Sequence, residues 1–144
     1  MTSFNSVAQF ARNYSAPGDA LDILSNDALR HHHECRLWYL ATPYTKYYLG
    51  HDKAFEDASF IAGKLIAAGV PIFSPIAHSH PISKYAMMRD DDYTIWLPLD
   101  HHFMNAAAGC IVAMMDGWET SHGVREEIQT FIEQGKPVLY METT

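Results

Sequence analysis

From Leu37 onward, short continuous apolar runs alternate with longer stretches in which apolar positions recur every three or four residues. Leu37 to Ala41 is an apolar run closed by Thr42-Pro43, which predicts a strand that stops abruptly. Ala54, Phe55, Ala58, Ile61, Ala62, Leu65 and Ile66 make one helical stripe, with Gly69 placed as its C-terminal cap. Val70 to Ser74 predicts a second strand, stopped by Pro75, so the two strands form a parallel βαβ pair. Pro81 to Met88 reads as a short helix, Arg89-Asp90-Asp91-Asp92 as a charged surface turn, and Asp100 to Ala108 as a further helix. Cys110 to Met115 predicts the third strand. A helix opening at Ser121 and closed by Gly135 leads to a fourth strand, Pro137 to Met141.

That order implies an α/β fold: a doubly wound, mostly parallel open sheet with helices on both faces, flavodoxin-like. It occupies residues 37–144. Residues 1–36 read as an N-terminal extension, helical at Ser6 to Arg12 and Asp19 to Arg30 or partly disordered, with the turn-prone Ser15-Ala16-Pro17-Gly18 between.

Composition narrows the partners. The formal net charge is −7 with no Lys/Arg-rich run, which argues against duplex nucleic acid or an anionic membrane. No apolar run reaches ~18 residues and the N-terminus lacks a signal-peptide pattern, so a cytoplasmic protein is expected. Cys35 and Cys110 read as reduced core thiols. The nine histidines raise a metal hypothesis, but consecutive His31-His32-His33 diverge on any regular element and no metal-ligand spacing occurs. Neither a metal nor any other cofactor is expected. One member of His78-x-His80 or His101-His102 is placed near the cleft, and His78 is the candidate chosen.

In such sheets ligands bind beyond the carboxyl ends of the strands, at the switch in strand order. The segments Thr42-Pro43-Tyr44-Thr45, Pro75 to His80 and Asp116 to Ser121 lie there by topology, with Asp100 at the start of the helix that feeds strand three. Ser121 is a natural N-cap. In the helix it opens, Val124, Ile128, Phe131 and Ile132 form the core stripe; Glu127 falls at its edge and Glu126 on the solvent side. Gly123 sits one turn before Glu127 and leaves open space above it. A carboxylate at a cleft under free helix amides suits a covalent nucleophile beside an anion site. Plainer readings stand beside these: Ser121 as a cap alone, Asp100 as a cap of its own helix, Tyr44 packed on the sheet edge. Trp118 reads as core, pocket wall or a stacking surface for a base.

Tyr39-Leu40-Ala41-Thr42-Pro43-Tyr44, Phe73-Ser74-Pro75, Asp100 with Asn105, Ser121-x-Gly123-x-x-x-Glu127 and Gly135-Lys136-Pro137-Val138 follow one another in order. Together, over residues 37 to 141, they resemble the nucleoside 2-deoxyribosyltransferase superfamily. The resemblance implies cleavage or transfer of the N-glycosidic bond of a nucleoside or nucleoside 5′-monophosphate. Glu127 would attack C1′ and Asp100 would assist the base. Thr42, Pro43, Tyr44, Ser121, Gly123, Asp116, Trp118 and His78 are the expected substrate contacts. The superfamily's free-nucleoside transferases carry Asp six residues before the nucleophile, whereas its monophosphate hydrolases carry Ser, as here at Ser121. The Gly/Ser/Arg phosphate loop of those hydrolases is replaced here by Thr42-Pro43-Tyr44-Thr45-Lys46. A homodimer or larger assembly is also implied. The alternative is a catalytically silent nucleotide-sensing module on the same fold.

Overall fold

Alternating side chains along three short strands divide the core into two layers, one on each face of a single sheet. The structure, a computed structural model, describes residues 37–143; the helices expected before Arg36, Cys35 and the His31 to His33 run lie outside them. The strands β1 (Trp38–Ala41), β2 (Ile72–Phe73), β3 (Gly109–Met114) and β4 (Val138–Glu142) run parallel in the order β2-β1-β3-β4. Trp38, Leu40, Ile111, Ala113, Leu139 and Met141 face one way. There they meet Ile61, Ala62 and Leu65 of α1 (His51–Ala67). Tyr39, Ala41, Cys110 and Val112 face the other way, against α3 (Tyr93–Ala106) and α4 (His122–Glu133). The fold is therefore α/β, doubly wound and flavodoxin-like.

The period-3.6 pattern holds in α1 for Ala54, Ala58, Ile61, Ala62 and Leu65, which are buried, whereas Phe55 is half-buried and Ile66 exposed, and Gly69 follows with φ 94°. Gly135, at φ 67°, closes α4 in the same way.

Three element boundaries differ from expectation, and two of them turn on proline. The helix α2 spans Pro75–Tyr85, because Ser74 accepts from Ala77 N at 3.1 Å as N-cap and Pro75 takes the first helical position. Pro81, read as a helix start, lies inside it. Likewise α3 begins at Tyr93, capped by Asp92, which accepts from Thr94 N at 3.0 Å, and runs through Pro98. Asp100 is thus in the body of α3 and does not cap it. The second strand is reduced to Ile72–Phe73.

Candidate functional site

The strand order reverses between β1 and β3, and a cleft of about 270 Å³ opens beyond their carboxyl ends. Thr42 and Tyr44 after β1, Pro75 and Ser79 of α2, Asp90 to Asp92 before α3, Asp100 in α3, and Ser121, Gly123 and Glu127 at the head of α4 all line it.

Glu127 is delivered by α4. Ser121 accepts from Val124 N at 3.3 Å and sets the first turn, and Val124, Glu127 and Phe131 share the buried face. Glu127 therefore lies within the buried stripe, not at its edge. Across from it, the pleat of β1 turns Tyr39 to the same side, and its phenol donates to Glu127 Oε2. Burial pushes the Glu127 carboxyl up to about 8, with the Tyr39 bond pulling down and the nearby Asp100 and Glu126 charges pushing further up. Burial alone lifts Asp100 to about 7. The Asp100 charge helps to raise Glu127, so the two acids are coupled and release their protons between about pH 7 and about pH 8. Tyr39 itself is driven far above the usual phenol range, by burial first and by Glu127 next, so it stays a donor.

The space above Glu127 is open, as a side chain added at Gly123 would meet no atom within 4 Å. Glu126, expected on the solvent side, is half-exposed at the rim of the cleft, 3.2 Å from His122.

Tyr44 lies in a network that crosses three elements. Its hydroxyl is 2.6 Å from His80 Nδ1 and 3.0 Å from Asp90 Oδ2. His80 Nε2 is 2.9 Å from Asp52, and its ring stacks on Phe55. His51 donates from Nδ1 to Asp90 at 2.8 Å and from Nε2 to the Thr45 carbonyl at 3.0 Å. Two acceptors on one ring call for a proton on each nitrogen. Burial opposes that charge, but the bonds to Thr45 and Asp90 outweigh it and raise His51 above its ordinary value. Burial likewise pushes Asp90 up, and the bonds from His51 and Tyr44 bring it below the usual carboxylate range. Asp90 is therefore a turned-in acceptor and Asp92 a helix cap; only Asp91, paired with Arg89 at 3.1 Å, fits the surface turn expected there.

Of the residues singled out from sequence, Thr42, Tyr44, Asp100, Ser121, Gly123 and Glu127 come together at the cleft. Four do not line it. Pro43 is buried behind it. Asp116 borders a separate depression with Tyr47 and Asp57, because the turn after β3 bends toward α1. Trp118 packs on Tyr140 with ring centroids 5.7 Å apart. His78 is exposed beside Phe73 and Phe103. The histidine tied to the cleft is His80, two residues on and about 200° around α2. The Ser74-Pro75 helix start was the signal that set this phase. Tyr39, His51, Asp52 and Asp90 were not legible as partners, since their contacts span 28 to 88 residues of sequence. Among the described residues no group of three or more His, Cys, Asp or Glu is arranged to hold a metal ion.

The chain is a doubly wound α/β domain with two acids, Glu127 and Asp100, on the cleft at its switch point. More narrowly, residues 36–143 match the family described as a domain of unknown function (DUF1937), and the chain belongs to that family. No curated protein matches it.

Proposed function

We propose that this cleft cleaves or transfers the N-glycosidic bond of a nucleoside or nucleoside 5′-monophosphate. The observation that carries the reading is the pairing of Glu127 and Asp100, two acids with raised pKa on one open cleft, the first held by the Tyr39 phenol. The ordered motifs resembling the nucleoside 2-deoxyribosyltransferase superfamily support the same assignment.

In this mechanism the C1′–N bond breaks as Asp100 gives its proton to the departing base. The ionised Glu127 carboxylate forms an ester to C1′ and stabilises the oxocarbenium-like charge on the way. Water then attacks C1′, Asp100 takes back a proton, and Glu127 is released; a second base in place of water makes the reaction a transfer. Tyr39 donates to the carboxylate form and so pulls Glu127 toward ionisation, against the burial that lifts its carboxyl to about 8. No cofactor takes part in these steps.

Charge on the lining bears on the substrate. Lys46 is the one Lys or Arg there among the described residues, against Asp90, Asp91, Asp92 and Glu126. The Ser121 hydroxyl already accepts from Val124 N. Electrostatics thus favours the uncharged nucleoside over its 5′-monophosphate, against the expectation from Ser121 alone. A homodimer or higher homo-oligomer in the cytoplasm is the assembly and location that accompany this reading.

The test is chromatographic: the chain is incubated with a panel of nucleosides and 5′-monophosphates, with and without a second free base, and released base is measured. Base release from a nucleoside is expected, with Glu127→Gln slower by at least ~10²–10³-fold. Ligand-induced thermal stabilisation with no base release from any substrate would instead establish a sensing module.

A further inference from the structure

Thr42 is the first residue beyond β1, and it is 4% exposed on the cleft wall. Its Oγ1 is a buried polar side-chain atom with no hydrogen-bond partner, and it alone has that property among the described residues. A buried hydroxyl left unpaired is a net cost to the folded chain. The usual local remedy, a bond to the backbone just ahead, is curtailed because the next residue is Pro43, which has no N–H. Nor does the side chain turn freely: it is β-branched and precedes a proline, so both its rotamer and its backbone are confined. The side chain is thus confined on the cleft wall, and its hydroxyl has one proton to donate and two lone pairs.

A fixed, dry, unpaired hydroxyl is what a ligand-recognising group looks like in the empty protein. The neighbouring chemistry narrows the ligand. Glu127 and Asp100 are carboxyls that burial makes reluctant to ionise, and Ser121 and Tyr44 add hydroxyls to the same cleft. That lining complements a group which both donates and accepts hydrogen bonds without carrying charge, namely an alcohol.

We propose that Thr42 is a specificity residue that pairs with one hydroxyl of a pentose, and so distinguishes ribose from a deoxyribose in this cleft. The proposal rests on the N-glycosidic reading and adds to it the group that reads the sugar. The ligand hydroxyl completes the pairing of Thr42, so the strain of the empty state is recovered on binding. The discrimination follows, because a deoxy sugar leaves the same hydroxyl unpaired.

The experiment compares the wild type, Thr42→Val and Thr42→Ser. Calorimetric melting without ligand comes first. Valine keeps the shape and removes the orphan hydroxyl, so its Tm is expected to match the wild type or exceed it by about 2–4 °C. A Tm well below the wild type would show that the hydroxyl supports the fold, and would overturn the proposal without touching the N-glycosidic reading.

Binding is then measured by titration calorimetry with adenosine and its 2′-deoxy and 3′-deoxy analogues, each set in the Glu127→Gln background so that nothing turns over. Thr42→Val is expected to weaken adenosine by at least about tenfold, and one deoxy analogue not at all. Thr42→Ser, which keeps the hydroxyl, should retain most of the affinity. Equal losses for all three ligands, or none, would overturn the hydroxyl assignment while leaving the parent reading intact. If the wild-type and Glu127→Gln chains bind none of the three and release no base from any nucleoside, the parent reading falls and the pentose with it.

Discussion

Glu127 shows how a single carboxyl is caught between stability and chemistry. In the folded chain it titrates at about 8 instead of the ordinary 4.5, because burial disfavours its charge. Between those pH values the folded state keeps a proton that the unfolded state has released, so this group's stabilising effect is full below about 4.5 and is lost as pH rises to about 8. Asp100 acts in the same sense between 3.8 and about 7. Glu127→Gln removes the larger slope. The variant should therefore be more stable than the wild type by an amount that grows with pH, on the order of 2–4 kcal/mol at pH 8, as read by urea melts at pH 5 and pH 8. An equal difference at both pH values would mean that the carboxyl is not held protonated. The reactive arrangement has one proton on the pair, carried by Asp100, so base release should follow a bell in pH with its maximum between about 7 and about 8.

At the scale of elements, the cleft depends on where helices begin and end. Ser74 and Ser121 each cap a helix whose first two turns carry cleft residues, and Asp92 does the same for α3. The end of α2 is less favourable. Met87 has φ 57°, a conformation that costs a non-glycine residue energy, while Met88 N donates to the Ser83 carbonyl at 2.8 Å to close the helix. The Met87 side chain is 93% exposed, so little packing is lost by removing it. Met87→Gly should stabilise the domain by about 0.5–1 kcal/mol, measured by denaturant melts. A loss of stability would mean that the exposed side chain makes contacts that outweigh its backbone strain. Since the turn that follows carries Asp90 into contact with Tyr44 and His51, a gain there also firms the cleft wall.

Taken as a whole, the described domain contains both core layers and every residue of the cleft, and the family match begins at Arg36. A chain starting at Arg36 is expected to keep α/β circular dichroism and a cooperative melt. A featureless far-ultraviolet spectrum would place part of the core in residues 1–36. The net pH response of this domain also has a definite sign. His51, raised above 6.5 by Thr45 and Asp90 despite burial, adds to the loss of stability at high pH, whereas lowered Asp90 and Asp92 lose their contribution as pH falls below about 3.8. Thermal stability should accordingly be greatest near pH 4, between about 3.8 and about 4.5, and fall as pH rises toward 8.

Local pattern was enough for the alternation of strands and helices, the parallel sheet, the Ser121 cap and the placing of Glu127 beside the β1 and β3 ends. Each of these follows from side-chain period, turn chemistry or topology, which act over a few residues or over the order of elements. The starts of α2 and α3 are not legible from local pattern, because Pro81 reads as a helix start and Asp100, two residues beyond Pro98, as a cap, whereas capping by Ser74 and Asp92 together with packing carries both helices through their prolines. That shift changed which histidine meets the cleft. The Tyr39–Glu127 bond, the Tyr44, His80 and Asp90 network and the orphan hydroxyl of Thr42 were decided by the tertiary structure alone. Each is a question of which polar atoms lose water and which partners they find, and that is settled only when segments distant in sequence close over one another.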